Sequence, residues 1–216
     1  MIVTVSRRRT ETQRDEAVYK KNVKRIMDIL LSACALLLLS PVFAVVAVLI
    51  KTQSPGPVFF RQKRVGLHKS HFYMLKFRTM RTDTPRDVPT HLLENPDQYI
   101  TRIGRLLRKT SLDELPQLLH ILSGSMSIVG PRPALWNQFD LIAERDKYGA
   151  NAVRPGLTGW AQVNGRDELP IPQKAALDGE YVRRLSFSID ALCVFRTVKA
   201  VLTHKGVVEG NTERRP

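Results

Sequence analysis

Residues 29–50 read ILLSACALLLLSPVFAVVAVLI, 22 consecutive positions without a charged side chain. As a helix rising about 1.5 Å per residue, the stretch is about 33 Å long, enough to cross a hydrocarbon layer of about 30 Å. It is too long for the apolar core of a signal peptide, and no small-residue cleavage site follows it. Ser40-Pro41 stands in its middle, where proline removes a backbone hydrogen bond and crowds the preceding turn. Each half, about 10–12 residues, reaches the depth of one leaflet as a helix.

The flanks carry matched charge. Eight Lys and Arg residues fall in 7–25 and eight in 51–81. Because such residues mark the cytoplasmic side, a balanced pair gives no reason to translocate either flank. A helix broken at Ser40-Pro41 that enters and leaves one face accounts for both observations. A proline-kinked span is the other reading, since membrane helices tolerate proline. Asp28 would be costly in lipid, and Lys24 or Arg25 is its simplest expected partner.

The whole chain has 216 residues, with 34 Lys and Arg against 20 Asp and Glu, a net charge of +14. That length suits one domain with a sizeable core, and 43% hydrophobic with 25% charged residues excludes both a disordered polyelectrolyte and a multi-span membrane protein. The cationic excess points to an anionic partner: a lipid surface, a phosphorylated substrate or nucleic acid. Cys34 and Cys193 lie far apart, and with five scattered histidines they exclude a zinc ribbon or disulfide scaffold and suit a reducing compartment.

The expected organisation is a basic mobile tail (1–22), the membrane helix-break-helix (23–52), a globular domain (53–205) and a C-terminal tail (206–216). Within the domain, strand-like runs occupy 58–62 and 72–80, separated by a loop holding Gly66, and 82–98 reads as a long surface loop. Helical patterns cover 102–109, 115–122, 133–148 and 173–204, and the segment 154–160 reads as a Pro/Gly-rich loop. The fold class is therefore mainly α with a small β element. The last helical stretch carries Leu192, Phe195, Val198 and Leu202 flanked by Arg183, Arg184, Arg196 and Lys199, which suits a membrane surface and equally a core-packing helix.

No GxxxxGK[ST] or GxGxxG motif is present, so P-loop and Rossmann chemistry have no support. Cations instead surround one acidic pair. In RKTSLDELPQ (108–117), Asp113 and Glu114 follow two cations that would keep Asp113 ionised, as a nucleophile or metal ligand requires. The same residues also read as a capping box, Ser111-x-x-Glu114, although Pro116 sits awkwardly in such a helix. Lys76 and Arg78 share a strand face at about 6.5–7 Å, a spacing that suits two phosphates of a diphosphate; a solvated strand face is the plainer alternative. Pro131-Arg132-Pro133 is a rigid loop presenting one guanidinium, and Arg102 and Arg105 add cations one turn apart.

These segments in this order, with Ser40-Pro41, KFRTM (76–80), SLDELPQ (111–117), SIVGPRP (127–133) and RPGLTGWAQVNGR (154–166), closely resemble the bacterial sugar transferases. These are the monotopic phosphoglycosyl transferases, and the likeness to their small single-domain members runs from about Lys24 to Thr203. The resemblance implies transfer of a phospho-sugar from a UDP-sugar to polyprenyl (undecaprenyl) phosphate with release of UMP, using Mg2+ and a ping-pong route through a covalent phosphosugar–aspartate. It implies Asp113 as nucleophile and Mg2+ ligand, Glu114 as its partner in proton handling or site ordering, and Arg108 as a phosphate-binding arginine. Pro131, Arg132 and Pro133 match the loop that positions nucleotide or phosphates, and Ser40-Pro41 the break of a re-entrant helix. It further implies the cytoplasmic face of a bacterial inner membrane, contact with its lipids, a role early in surface-polysaccharide synthesis and room for a homodimer. Nucleic acid is not an expected partner. A non-enzymatic, membrane-tethered module for anionic lipid or nucleic acid is the competing class; it lacks aromatics interleaved with its cations and leaves Asp113-Glu114 without a role.

Overall fold

The computed structural model describes residues 19–85, 96–165 and 169–203. Most of the basic tail, the middle of the 82–98 loop and the C-terminal tail lie outside the described residues. The architecture is mainly helical, with two small two-stranded sheets.

The apolar stretch forms helix α1 (Lys24–Gln53), about 45 Å long at the usual rise. The expected break at Ser40-Pro41 does not interrupt it. Pro41 has no N–H to give the Leu37 carbonyl, and the Ser40 hydroxyl donates to that carbonyl instead at 2.8 Å. Leu30, Leu31, Leu37, Leu38, Val45 and Val48 are exposed along the helix.

Both ends and the middle of α1 dock on the same domain. At its start Arg25 donates to the carbonyls of Ile121 and Leu122 at 2.6 and 2.8 Å. Asp28 takes neither Lys24 nor Arg25 as partner: buried, it accepts the amide of Ile128 at 3.0 Å. The Ile128 amide gives that carboxylate a charge-assisted hydrogen bond. Lys24 instead reaches Asp190 at 2.5 Å. Ala35, Leu36 and Leu39 pack on the cluster of Met74, Leu118, Ile121 and Met126. Val46 and Ile50 join Phe77, Ile103 and Leu107, and the Gln53 side chain accepts the Ile103 amide at 2.9 Å.

Strands β1 (Phe59–Val65) and β2 (His71–Phe77) form an antiparallel hairpin that pairs Phe60 with Lys76 and Gln62 with Met74. They sit slightly off the expected runs because the turn at Gly66 closes early on Ser70. One face points Phe59 and Phe77, stacked at 5.4 Å, towards Phe43 of α1. Helix α2 (Arg102–Thr110) is capped by the Thr101 hydroxyl. The predicted helix 115–122 divides: a 3₁₀ segment (Leu112–Gln117) precedes α3 (Leu118–Ser123), since Pro116 cannot supply the N–H an α-helix needs there. His120 of α3 accepts the Leu75 amide of β2 at 3.1 Å, and burial pushes its pKa down, so it stays the neutral acceptor.

Two segments read as loops contain a short parallel pair, β3 (Ser127–Val129) with β4 (Gly156–Thr158). The helix expected over 133–148 shortens to α4 (Phe139–Asp146), because Ala134 and Leu135 bridge to the β1 edge. After α5 (Trp160–Val163), the last helical pattern breaks at Leu185-Ser186 into α6 (Ile171–Arg184) and α7 (Phe187–Leu202). Phe187, Val194, Phe195, Val198 and Leu202 are exposed on α7, while Ile189 and Cys193 face the core.

The last part of the supposed mobile tail is docked. Tyr19 is buried against α7, and its hydroxyl donates to Asp190 at 2.6 Å. Asp190 also accepts Tyr181 at 2.8 Å beside Lys24. Burial first and this carboxylate second push both phenols far above their ordinary range, so both remain donors. Asp190→Ala would leave two phenols and an ammonium without their acceptor, and we expect a loss of about 3–5 kcal/mol. For a chain of this size that is a fall of roughly 6–20 °C in the thermal midpoint, and Asp190→Asn, which keeps an acceptor, should lose less by the same measurement.

Candidate active site

The acidic pair lies in the 3₁₀ segment. Ser111 ends α2 in the left-handed region at φ 57°, with its amide on the Arg108 carbonyl at 3.1 Å, and its side chain caps nothing. The capping-box reading therefore gives way: Glu114 turns outward from the helix start. Its Oε1 accepts Lys76 at 2.7 Å and Arg132 at 2.8 Å. Burial alone would raise its pKa, but Arg132 and Lys76 outweigh it and hold the carboxyl well below the usual range.

Asp113 is only 8% exposed and opens into a cleft of about 310 Å³. The hairpin walls this cleft with Arg61, Gln62, Arg64 and Lys76. The chain leaving β2 adds Arg78, Thr79 and Arg81, and α2 adds Arg108. The neighbouring cations expected to keep Asp113 ionised are not the largest influence on it. Burial is the largest influence and pushes its pKa up; Lys76 pulls it back, and Glu114 pushes it up again. Arg108 and Arg132 pull it down more weakly. The adjacent carboxyls are thus driven apart, Glu114 towards permanent ionisation and Asp113 towards higher basicity.

The structure gathers Asp113, Glu114, Lys76, Arg108 and Arg132 around one carboxylate pair. Arg108 is braced by Thr79 Oγ1 at 3.0 Å. Pro131 and Pro133 are buried on either side of Arg132. Arg78 departs from its expected role: it is 5% exposed, and its guanidinium donates to the carbonyls of Ser54 and Pro55 at 2.9 and 2.5 Å. It caps the exit of α1 while lining the cleft, so the Lys76/Arg78 pair does not present two equivalent phosphate forks. Arg102 and Arg105 are exposed on α2 and do not line the cleft. Ser40 and Pro41 lie on α1, away from the acidic pair's lining residues.

Sequence reasoning missed Arg61, Gln62 and Arg64. The signal was available in the hairpin: strand alternation places Gln62 and Arg64 on the Lys76 face once Gly66 fixes the turn. Asp178 and Arg145, a buried pair at 2.6 Å, carried no local signal.

For a metal, the described residues contain no group of three His, Cys, Asp or Glu side chains able to close around an ion. Glu114 is committed to two cations, which leaves Asp113 as the one carboxylate among the described residues that lines the cleft. That donor set fits Mg2+, which is commonly held by one or two carboxylates together with substrate phosphates.

Residues 19–204 match the family described as bacterial sugar transferase. The chain is 41% identical over 190 residues to the "Uncharacterized sugar transferase EpsL" of Bacillus subtilis (strain 168), covering 88% of this chain and 92% of that protein. It is 43% identical over 189 residues to the "UDP-glucose:undecaprenyl-phosphate glucose-1-phosphate transferase" of Xanthomonas campestris pv. campestris, covering 84% of this chain but only 39% of that longer protein. It is also 40% identical over 190 residues to the "UDP-N-acetylgalactosamine-undecaprenyl-phosphate N-acetylgalactosaminephosphotransferase" of Aeromonas hydrophila, at 85% and 44% coverage. With a cationic cleft built on its acidic pair and a family match over almost its whole length, the chain belongs to the bacterial sugar transferases.

Proposed function

We propose that this chain transfers a sugar phosphate from a UDP-sugar to undecaprenyl phosphate, releasing UMP, in the assembly of a surface polysaccharide. The observation that carries the reading is Asp113, a buried carboxylate of raised basicity at the wall of a cleft lined by cations. Relatives named as undecaprenyl-phosphate sugar phosphotransferases support the substrate classes.

The residues suit two successive displacements. In the first, an Asp113 oxygen attacks the β-phosphorus of the UDP-sugar. The bond from that phosphorus to the bridging oxygen breaks, and UMP leaves with the oxygen. In the second, an oxygen of the lipid phosphate attacks the same phosphorus and returns Asp113 as carboxylate. Two anionic substrates then occupy one cationic cleft in turn rather than together. Lys76 and Arg108 in the cleft wall stabilise charge on the phosphoryl oxygens, and Arg132 adds its charge from beside Glu114. Glu114, kept ionised by its two cations, orders Lys76 and Arg132 rather than moving a proton. Mg2+ held by Asp113 and the diphosphate would add charge neutralisation.

We place the protein on the cytoplasmic face of the bacterial inner membrane, with α1, continuous through Ser40-Pro41, inserted from that face so that both its ends stay on one side. Docking of both helix ends on one domain supports this, because a crossing would carry one end away from it. The exposed apolar residues of α7 and of α1 form the surface that lipid would cover.

In detergent-solubilised full-length protein, UDP-sugars should yield UMP and not UDP, and Asp113→Asn should cut kcat by at least ~10³-fold. Turnover by that variant equal to wild type would remove the nucleophile. Because Asp113 must be ionised to attack and burial raises its pKa, the acid limb of kcat/KM should fall with a midpoint above the 3.8 of an unperturbed aspartate; a midpoint at or below it would contradict the assignment. For topology, single cysteines at Asn22 and Lys51 in a Cys34→Ser background should both react with an impermeant maleimide in inside-out vesicles and neither in right-side-out vesicles. Opposite sidedness would establish a span.

A further inference from the structure

The RPGLTGW segment and the buried Arg145–Asp178 pair have no part in the two displacements, yet both converge on the loop that carries Arg132. Proline at 131 and 133 leaves that loop few amides with which to be fixed, so its shape must be held through carbonyls. Each of its three carbonyls has a donor from a different element. The Gly156 amide of β4 donates to Pro131 at 2.9 Å. Arg145 Nη1 of α4 donates to Arg132 at 3.0 Å. Arg64 Nη1 of β1 donates to Pro133 at 3.0 Å.

The first of these depends on bare backbone. A Cβ on Gly156 would lie 2.1 Å from the Gly130 nitrogen, and one on Gly159 would lie 2.0 Å from the Gly130 oxygen. The second depends on a fork. Arg145 is 4% exposed, and Asp178 Oδ2 takes its Nε at 2.8 Å and its Nη2 at 2.6 Å, leaving Nη1 aimed at the Arg132 carbonyl. A guanidinium can serve both partners in one plane; an ammonium, ending in one nitrogen, cannot.

We infer that Arg145, set by Asp178, is a positioning residue for Arg132: it fixes the backbone from which Arg132 reaches Glu114 Oε1 at 2.8 Å. Arg145 itself does not line the cleft. The inference rests on the phosphoglycosyl-transfer reading, since positioning is defined by what Arg132 does there. Its chemistry is geometric. A displacement of about 1 Å at a group that stabilises a phosphoryl transition state costs as much as 10²-fold in rate.

The test is a double-mutant cycle on UMP release by the full chain, with thermal midpoints measured alongside. Arg145→Lys keeps a cation beside Asp178 but loses the carbonyl donor, and should lower kcat by about 10- to 100-fold. In an Arg132→Lys background the same change should cost less than about 2-fold, because the group it positions is already altered. The midpoint should drop equally in both backgrounds. Equal kcat losses in the two backgrounds would overturn the inference and make the pair structural only. If Arg145→Lys does not fold, Arg145→Met with Asp178→Leu removes the ion pair without stranding a charge, and the same coupling is read. Failure of the wild-type chain to release UMP from any UDP-sugar would sink the functional reading itself, whereas UMP release with uncoupled losses would sink this inference alone.

Discussion

Glu114 Oε1 accepts two cations at once, Lys76 from the hairpin and Arg132 from the Pro-Arg-Pro loop, within a segment where the side chain is 15% exposed. A carboxylate in that setting must be compensated, and the two cations in turn cannot be withdrawn from it cheaply. A single atom therefore joins the hairpin, the loop and the 3₁₀ segment, and the Arg64 bond to the Pro133 carbonyl ties hairpin and loop a second time. Asp113, next in the chain, inherits its place from this arrangement. It is close enough to share the field of the same cations, but not bonded into them, so burial governs its basicity. One carboxyl organises and its neighbour remains available.

The same economy governs the docking of the membrane helix. Its apolar side chains could associate with any apolar surface, so they do not determine how the helix sits. Polar groups near its ends do: Lys24 on Asp190, Arg25 on the end of α3, Asp28 on the Ile128 amide, and Arg78 on the carbonyls past Gln53. Asp28 accepts the amide of Ile128, the middle residue of the strand that runs into the Pro-Arg-Pro loop, and Arg78 lines the cationic cleft. The apolar helix and the cationic cleft thus share residues and backbone at both ends of the helix.

Much of this was legible in the amino-acid order. The apolar stretch, the hairpin around Gly66, the acidic pair and the rigid Arg132 loop are local patterns, and each appears where its chemistry required. What local pattern could not supply was partner identity across the chain. Arg78 looked like a phosphate ligand because nothing in KFRTM reveals that Ser54 and Pro55 lie against it. Asp28 looked like a partner for adjacent cations, whereas its acceptor bond spans 100 positions. Strands β3 and β4, three residues each, are too short to show alternation, and they are specified by glycines that permit close backbone approach. The capping box failed for a physical reason also visible beforehand: Pro116 barred the α-helix that it would have begun.

The hydroxyl of Ser40 resting on the Leu37 carbonyl bears on how freely this region can drift in sequence. Along the rest of the exposed apolar side of α1, one aliphatic residue replaces another at little cost, since no shape is being matched. At position 40 the requirement is a short side chain with a hydrogen to give, one residue before a proline that creates the vacancy. Alanine would leave that carbonyl without its side-chain donor, and a longer donor such as lysine would carry its charge elsewhere. The proline and the serine are therefore expected to vary as a pair, making this dipeptide the least interchangeable point along the exposed apolar side of the helix.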